Sequence, residues 1–311
     1  MSTLHTNKKI LVIHYSQTGQ LDRTVQSVAA PLEASTCCDV EYLNLQPNQA
    51  YPFPWPFITF INAFPEAVHE KGCALEPIPA SLTKKYDLVI LGYQVWYLAP
   101  SNPITAFLKT KEAETILGDT PVITVIACRN MWLLAQERVK KHLLRLNANL
   151  IGNIALVDKA GAGFSFLSTP IWMFSGSKGP YPLGIPNAGV DPLHIQAAQR
   201  FGDALTERFE NETNLDCSVF LGLGAVKINT GLIASEKIAT RSFYLWGKLF
   251  LWCGAPNNLP RKLLAIVYAA FLIALIVTVV PITYLLKKLL SPLTRKRDEA
   301  LRKYYSAPSG E

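Results

Sequence analysis

A run of hydroxyl, amide and glycine residues, Ser16-Gln17-Thr18-Gly19-Gln20, follows the apolar stretch Ile10-Leu11-Val12-Ile13 and precedes an amphipathic segment from about Leu21 to Leu32. Between a strand's end and a helix's start, such a loop suits a phosphate. Backbone N–H groups and the helix dipole point at the anion, Gly19 lets the backbone approach, and Ser16 and Thr18 donate from their hydroxyls. The same residues also suit an ordinary strand-to-helix turn capped by Ser16 or Thr18. Dinucleotide binding is a weaker reading. Gly161-Ala162-Gly163 and Gly222-Leu223-Gly224 begin a G-x-G pattern, but Phe166 and Lys227 stand where its third glycine belongs. None of the six cysteines forms a C-x-x-C pair or lies at metal spacing from a histidine, so no metal site is expected.

The elements that must position this loop alternate strand with helix. Further candidate strands cover Asp39 to Leu43, Tyr86 to Gly92, Pro121 to Ala127 and Leu150 to Val157. Helical patterns cover Pro103 to about Leu117, Trp132 to about Leu146 and Asp191 to about Phe209. This rhythm predicts an α/β fold, a doubly wound five-stranded parallel sheet with helices on both faces. Two long insertions interrupt it. Residues 46–80 carry Tyr51-Pro52-Phe53-Pro54-Trp55-Pro56-Phe57, too proline-rich for regular structure, and residues 158–190, rich in glycine and proline, read as a long loop or small subdomain.

The first loop resembles that of flavodoxins, hydroxyl–x–hydroxyl–Gly–x–hydroxyl, which Ser16, Thr18 and Gly19 match; Leu21 stands where a threonine is usual. The resemblance implies FMN as cofactor. It places Ser16, Gln17, Thr18, Gly19 and Gln20 at the phosphate, and Gln94, Val95 and Trp96 after the third strand at the isoalloxazine. Cys128, Asn130 and Trp132 would form a third loop after the fourth strand. Trp96 also suits edge packing, and Trp132 a buried helix start. The tyrosine- and tryptophan-bearing segments 51–57, 91–96 and 128–132 further resemble the bacterial dialkylresorcinol condensing enzyme family, over about residues 8–210. That likeness implies a flavin-dependent aromatase. It would oxidise a lipid-like dialkyl cyclohexanedione made by a ketosynthase partner. Such a reaction needs a hydride acceptor, a base, and a donor for the enolate oxygen. Arg129 suits the donor role, or equally a surface or phosphate-pairing role. Tyr93 or Tyr97 suits proton relay, with buried structural tyrosines as the alternative. The rival readings are a tethered electron carrier and a flavin-free scaffold for a ketosynthase.

Composition adds a second theme. Half the residues are hydrophobic, and the net charge is +7. Leu263 to Leu286 holds no charged side chain, a length that crosses a ~30 Å hydrocarbon layer if helical. From Lys287 onward a basic tail follows, a pattern that points to anionic lipid rather than nucleic acid. The expected organisation is an FMN-binding domain over 8–210, an apolar and aromatic linker or membrane-proximal region over 211–262, a transmembrane or membrane-embedded helix over 263–286 and the basic tail over 287–311. The positive-inside rule puts the tail in the cytoplasm, where the catalytic domain is also expected, and one span cannot satisfy both. A crossing tail, a hairpin involving Phe243–Trp252, or an interfacial segment would each resolve this.

Overall fold

Two-sided burial explains the strands. In β1 (Lys8–His14), Ile10 and Val12 enter one core and Leu11 and Ile13 the other, each wholly buried. The same alternation runs through β3 (Leu88–Tyr93), where Val89, Leu91 and Tyr93 share the Leu11 side, and through β4 (Pro121–Cys128). Near-continuous apolar runs of this kind fit only a sheet covered on both faces. With β2 (Cys38–Asn44) and β5 (Asn149–Val157) they form one parallel five-stranded sheet in the order β2-β1-β3-β4-β5. The computed structural model describes residues 7–158, 161–256, 258–290 and 295–310, and of these 161–167, 183, 276, 277, 279–290, 295 and 296 by backbone alone.

Helices α1 (Gln20–Ala34) and α8 (Gln199–Glu210) cover one face of the sheet, through Val25, Val28, Phe201 and Leu205. The other face is covered by α3 (Asn102–Phe107), α4 (Lys111–Leu117) and α5 (Leu133–Arg145). The helix expected from Pro103 to Leu117 is thus two, with Thr110 capping the second by accepting from the Ala113 N–H. The closing helix is likewise divided, into α7 (Pro192–Gln196) and α8.

The first insertion is irregular through Pro56, as its prolines predict. It then forms α2 (Phe57–Val68), with Pro56 just before the first turn and Pro65 inside the last turn. The second insertion contains α6 (Gly161–Ser175).

The core continues past residue 210. Phe220 packs so closely on the edge strand that a Cβ at Gly152 would meet its ring at 2.5 Å, and a register shift in β5 brings Gly152 there. Ala155 N–H donates to Ala225 O at 2.8 Å, Val226 and Ile228 join the α5-side core, and α9 (Thr230–Trp252) adds Ile233. The expected linker is therefore largely a helix packed on the domain. Its partner α10 (Leu259–Leu290) contains the uncharged stretch 263–286. Among the described residues no helix is long and apolar enough to cross a membrane. The C-terminal part of that expected membrane helix, 276, 277 and 279–286, lies outside the described side chains. The basic tail forms α11 (Arg295–Ser306), which docks on the domain: Tyr305 is buried in the core and Tyr304 donates to Glu137 at 2.9 Å. Ser309 bonds both the N–H and the C=O of Asn153, at 2.6 and 2.8 Å.

Candidate functional site

The chain leaves β1 for β2 on one side and reaches β3 on the other, so the strand order reverses between β1 and β3. Loops at the carboxyl ends of these strands diverge there and leave a crevice. The fold is flavodoxin-like.

Loop one, Tyr15 to Gly19, enters α1 with Gly19 in the left-handed region, φ 71°, a conformation that a side chain would strain. No side chain caps this helix. The Ser16 hydroxyl is buried without a hydrogen-bond partner, and Thr18 is half-buried. An unpaired buried hydroxyl at a helix N-terminus fits an anion. Gln17 is committed elsewhere: its amide donates to Pro52 O at 2.7 Å and accepts from the Trp55 indole at 3.2 Å. Gln20 is committed too, accepting from Val190 N–H at 2.9 Å and Lys178 Nζ at 3.4 Å. Each insertion is thereby fastened to one side of loop one. The insertions also meet each other, through Trp55 N–H to Met173 O at 2.8 Å and Phe60 against Phe174 at 5.4 Å. His14, at the strand's end, is a core residue paired with Asp22 at 2.7 Å, and burial holds it more neutral than usual.

Loop two begins at Gln94, whose side chain accepts from Gln17 N–H at 3.4 Å. Val95 and Trp96 pair with Ala99 and Pro100 in a short antiparallel ladder. The two residues between them, Tyr97 and Leu98, have φ of 51° and 63°. Such turns prefer Asn-Gly, and large side chains there carry strain that the surroundings must hold. They do so by burying Leu98, by packing the half-buried Tyr97 ring against Phe60 and Phe64, and by a hydrogen bond from the Tyr97 hydroxyl to Phe60 O. Trp96 meets Tyr15, Tyr51 and Trp55 edge-on, at 6.0, 4.8 and 5.6 Å. The first insertion thus supplies an aromatic wall beside loop two.

Loop three holds Cys128, Arg129, Asn130 and Trp132. Asn130 Nδ2 is buried without a partner. Arg129 is half-buried. Burial lowers its pKa to about 10 while Asp158 opposes the shift, so it stays cationic at neutral pH. Burial raises the Cys128 thiol far above its usual range, which suits packing rather than redox chemistry. Trp132 is 2% exposed in the core at the start of α5, so the buried-helix-start reading describes its position.

Both tyrosine hydroxyls have partners within the protein. Tyr93 is fully buried and donates to Gln136 Oε1 at 2.6 Å; Gln136 in turn donates to Thr124, and Thr124 to Asn153, at 3.0 and 2.9 Å. Burial lifts both Tyr93 and Tyr97 well above the usual phenol range. The alternative of structural tyrosines fits these positions.

Three charged residues escaped the sequence reading. Asp158, directly after β5, is buried and accepts from Gly189 N–H at 3.0 Å. Its position after an apolar strand was a legible signal. Lys178 lies over the Trp172 ring at 4.6 Å, and burial and the nearby Arg23 cation lower its pKa. Glu236 reaches from α9 to accept from Leu134 N–H at 2.7 Å, at the start of α5.

No family model and no curated protein matches this chain. A flavoprotein solved in complex with FMN from Lactobacillus acidophilus NCFM shares 16% identity, with a TM-score of 0.36 over 48% of this chain and 93% of that one. A flavodoxin from the domain Archaea shares 9%, at 0.36 over 65% and 99%. Oxidised flavodoxin 1 from Bacillus cereus shares 12%, at 0.35 over 66% and 99%.

Proposed function

We propose that this chain binds FMN at the carboxyl ends of β1, β3 and β4 and acts as a flavin-dependent oxidoreductase. The observation that carries the reading is the buried, unpaired Ser16 hydroxyl at the uncapped N-terminus of α1, at the point where the strand order reverses. The groups present fit a phosphate: backbone N–H groups of α1, the hydroxyls of Ser16 and Thr18, and a Gly19 flank on which a Cβ would meet nothing nearer than 3.8 Å. Arg23 and Lys178, whose like charges oppose each other, would be relieved by an anion. Asn130 Nδ2 is an unused donor for the ring or its side chain.

Bound FMN would supply an oxidised ring that takes up a hydride. The protein's part is then positioning and charge. Arg129 holds a developing enolate oxygen, and the wall of Tyr51, Trp55 and Trp96 keeps water from an apolar substrate. This favours an enzyme over a plain electron carrier, since two insertions meet beside loop one. The finer reading is aromatisation of a dialkyl cyclohexane-1,3-dione, with a ketosynthase partner supplying the ring. The substrate loses a hydride and a proton, and dioxygen or another acceptor takes the electrons afterwards.

Absorption spectroscopy of the purified chain titrated with FMN tests the first step. A bound, quenched flavin is the expected result, and failure to take up FMN overturns the reading. Incubation of the loaded protein with a dialkyl cyclohexanedione under air should yield the resorcinol by mass spectrometry. A loaded protein that leaves the dione unchanged overturns the aromatase and leaves the flavoprotein.

A further inference from the structure

Helices α9 and α10 run antiparallel, with Trp246 against Tyr268 and Phe271 at 5.1 Å each and Phe250 against Tyr268 at 5.6 Å. Their shared inner face closes on Phe64 of α2, which stacks on Tyr268 at 4.7 Å. The outer faces are another matter. On α9, Ile238, Leu245, Leu249 and Trp252 are exposed, Trp252 by 83%. On α10, Leu259, Leu263, Ile266, Val267 and Ile273 are exposed as well. A soluble chain rarely leaves so many large apolar side chains uncovered on neighbouring helices.

Charge indicates what covers them. At 3.6 residues per turn, Lys237, Arg241 and Lys248 fall in a strip beside the exposed apolar strip of α9, between it and Tyr244. Tyr244 and Thr240 border a cleft of about 710 Å³ whose other wall, on α5, carries Arg138, Lys141 and Arg145 beside Glu137, with Arg138 paired to Glu70 at 3.6 Å. Lys262 is exposed at the start of α10. No aspartate or glutamate occurs between Glu236 and Asp298. An apolar strip edged by cations, with an exposed tryptophan near the turn, matches the boundary between acyl chains and anionic headgroups.

We infer that the α9–α10 hairpin is an interfacial anchor that lies in the surface of an anionic bilayer. The apolar strips sink to the acyl boundary while Arg241 and Lys248 meet lipid phosphates, and the hairpin does not span the membrane. A second copy of the chain would cover the apolar strips but would set its own basic strip against this one. The inference does not rest on flavin binding.

Vesicle flotation of the full chain, diluted from mild detergent, tests it. The chain should float with phosphatidylcholine vesicles containing phosphatidylglycerol and far less with phosphatidylcholine alone. Replacing both cations (Arg241→Gln with Lys248→Gln) should lower partitioning about thirtyfold. Replacing Leu245→Ser with Trp252→Ser should abolish it, while circular dichroism stays unchanged because both positions are exposed. Failure to float with either vesicle, or flotation indifferent to both pairs of substitutions, overturns the inference. So does a dimer in analytical ultracentrifugation that Leu245→Ser with Trp252→Ser dissolves, without vesicle binding.

Discussion

The Arg261 guanidinium and the Ser16 hydroxyl are both buried, and the molecule treats them in opposite ways. Arg261, at the start of α10, meets Glu66 through two bonds of 2.9 and 2.8 Å, Asn62 O at 2.8 Å, Asn62 Oδ1 at 3.3 Å and Gly254 O at 2.9 Å. Ser16 has no partner. A group that holds the fold together finds its partners within the fold. A group left unpaired where water is excluded is kept for something that arrives later. For these two groups it is satisfaction, not burial, that tells architecture from site.

The largest expected effect is at the saturated pole. Arg261→Ala would strand the Glu66 carboxylate and three further acceptors, and should cost about 3 kcal/mol. Urea denaturation followed by tryptophan fluorescence checks this, because Trp246 lies between Tyr268 and Phe271 in the same layer. A cost under about 1 kcal/mol would mean the network is ornamental.

Glu236 stands between the poles: one carboxylate oxygen is bonded to Leu134 N–H, the other is buried and unpaired. Burial raises its pKa from 4.5 to about 7. The folded chain therefore keeps a proton that the unfolded chain releases, so stability falls as pH rises from about 4.5 to about 7 and stays lowered above that. Glu236→Gln keeps the acceptor for Leu134 and removes the titration. The variant should be about 3 kcal/mol more stable than the parent at about pH 8 and close to it near pH 4.5. Parallel denaturation curves at both pH values would refute the shift.

The smallest expected effect on the fold is at the unpaired pole. Ser16→Ala should change stability by less than about 0.5 kcal/mol, since no bond is lost, yet weaken FMN binding about tenfold. A thermal shift without ligand and a flavin titration read the two separately. Loss of stability without loss of affinity would reverse the assignment of this loop.

The strands were legible to within two residues because burial on both faces writes a continuous apolar run. Loop one was legible because glycine and hydroxyls at a strand's end have few other uses. Tyr93 shows a signal passed over: it shares its parity along β3 with Val89 and Leu91, and that parity alone assigns it to the core. Tyr97 and Leu98 gave no such warning, since a turn with two positive φ angles and no glycine is dictated by its surroundings. The meeting of the two insertions was hidden for a different reason. The bond from Trp55 to Met173 joins segments with no shared periodicity, and only the folded sheet brings them together.

Ser309 and Ala225 have a consequence for the company this protein keeps. A parallel sheet ends in strands whose outward N–H and C=O groups can recruit a strand from another molecule. On β5 those groups are taken: Asn153 is bonded twice by one serine hydroxyl, and Ala155 by a neighbouring loop. The docked tail thus shields this border from edge-to-edge aggregation, at the far end of the sheet from β2.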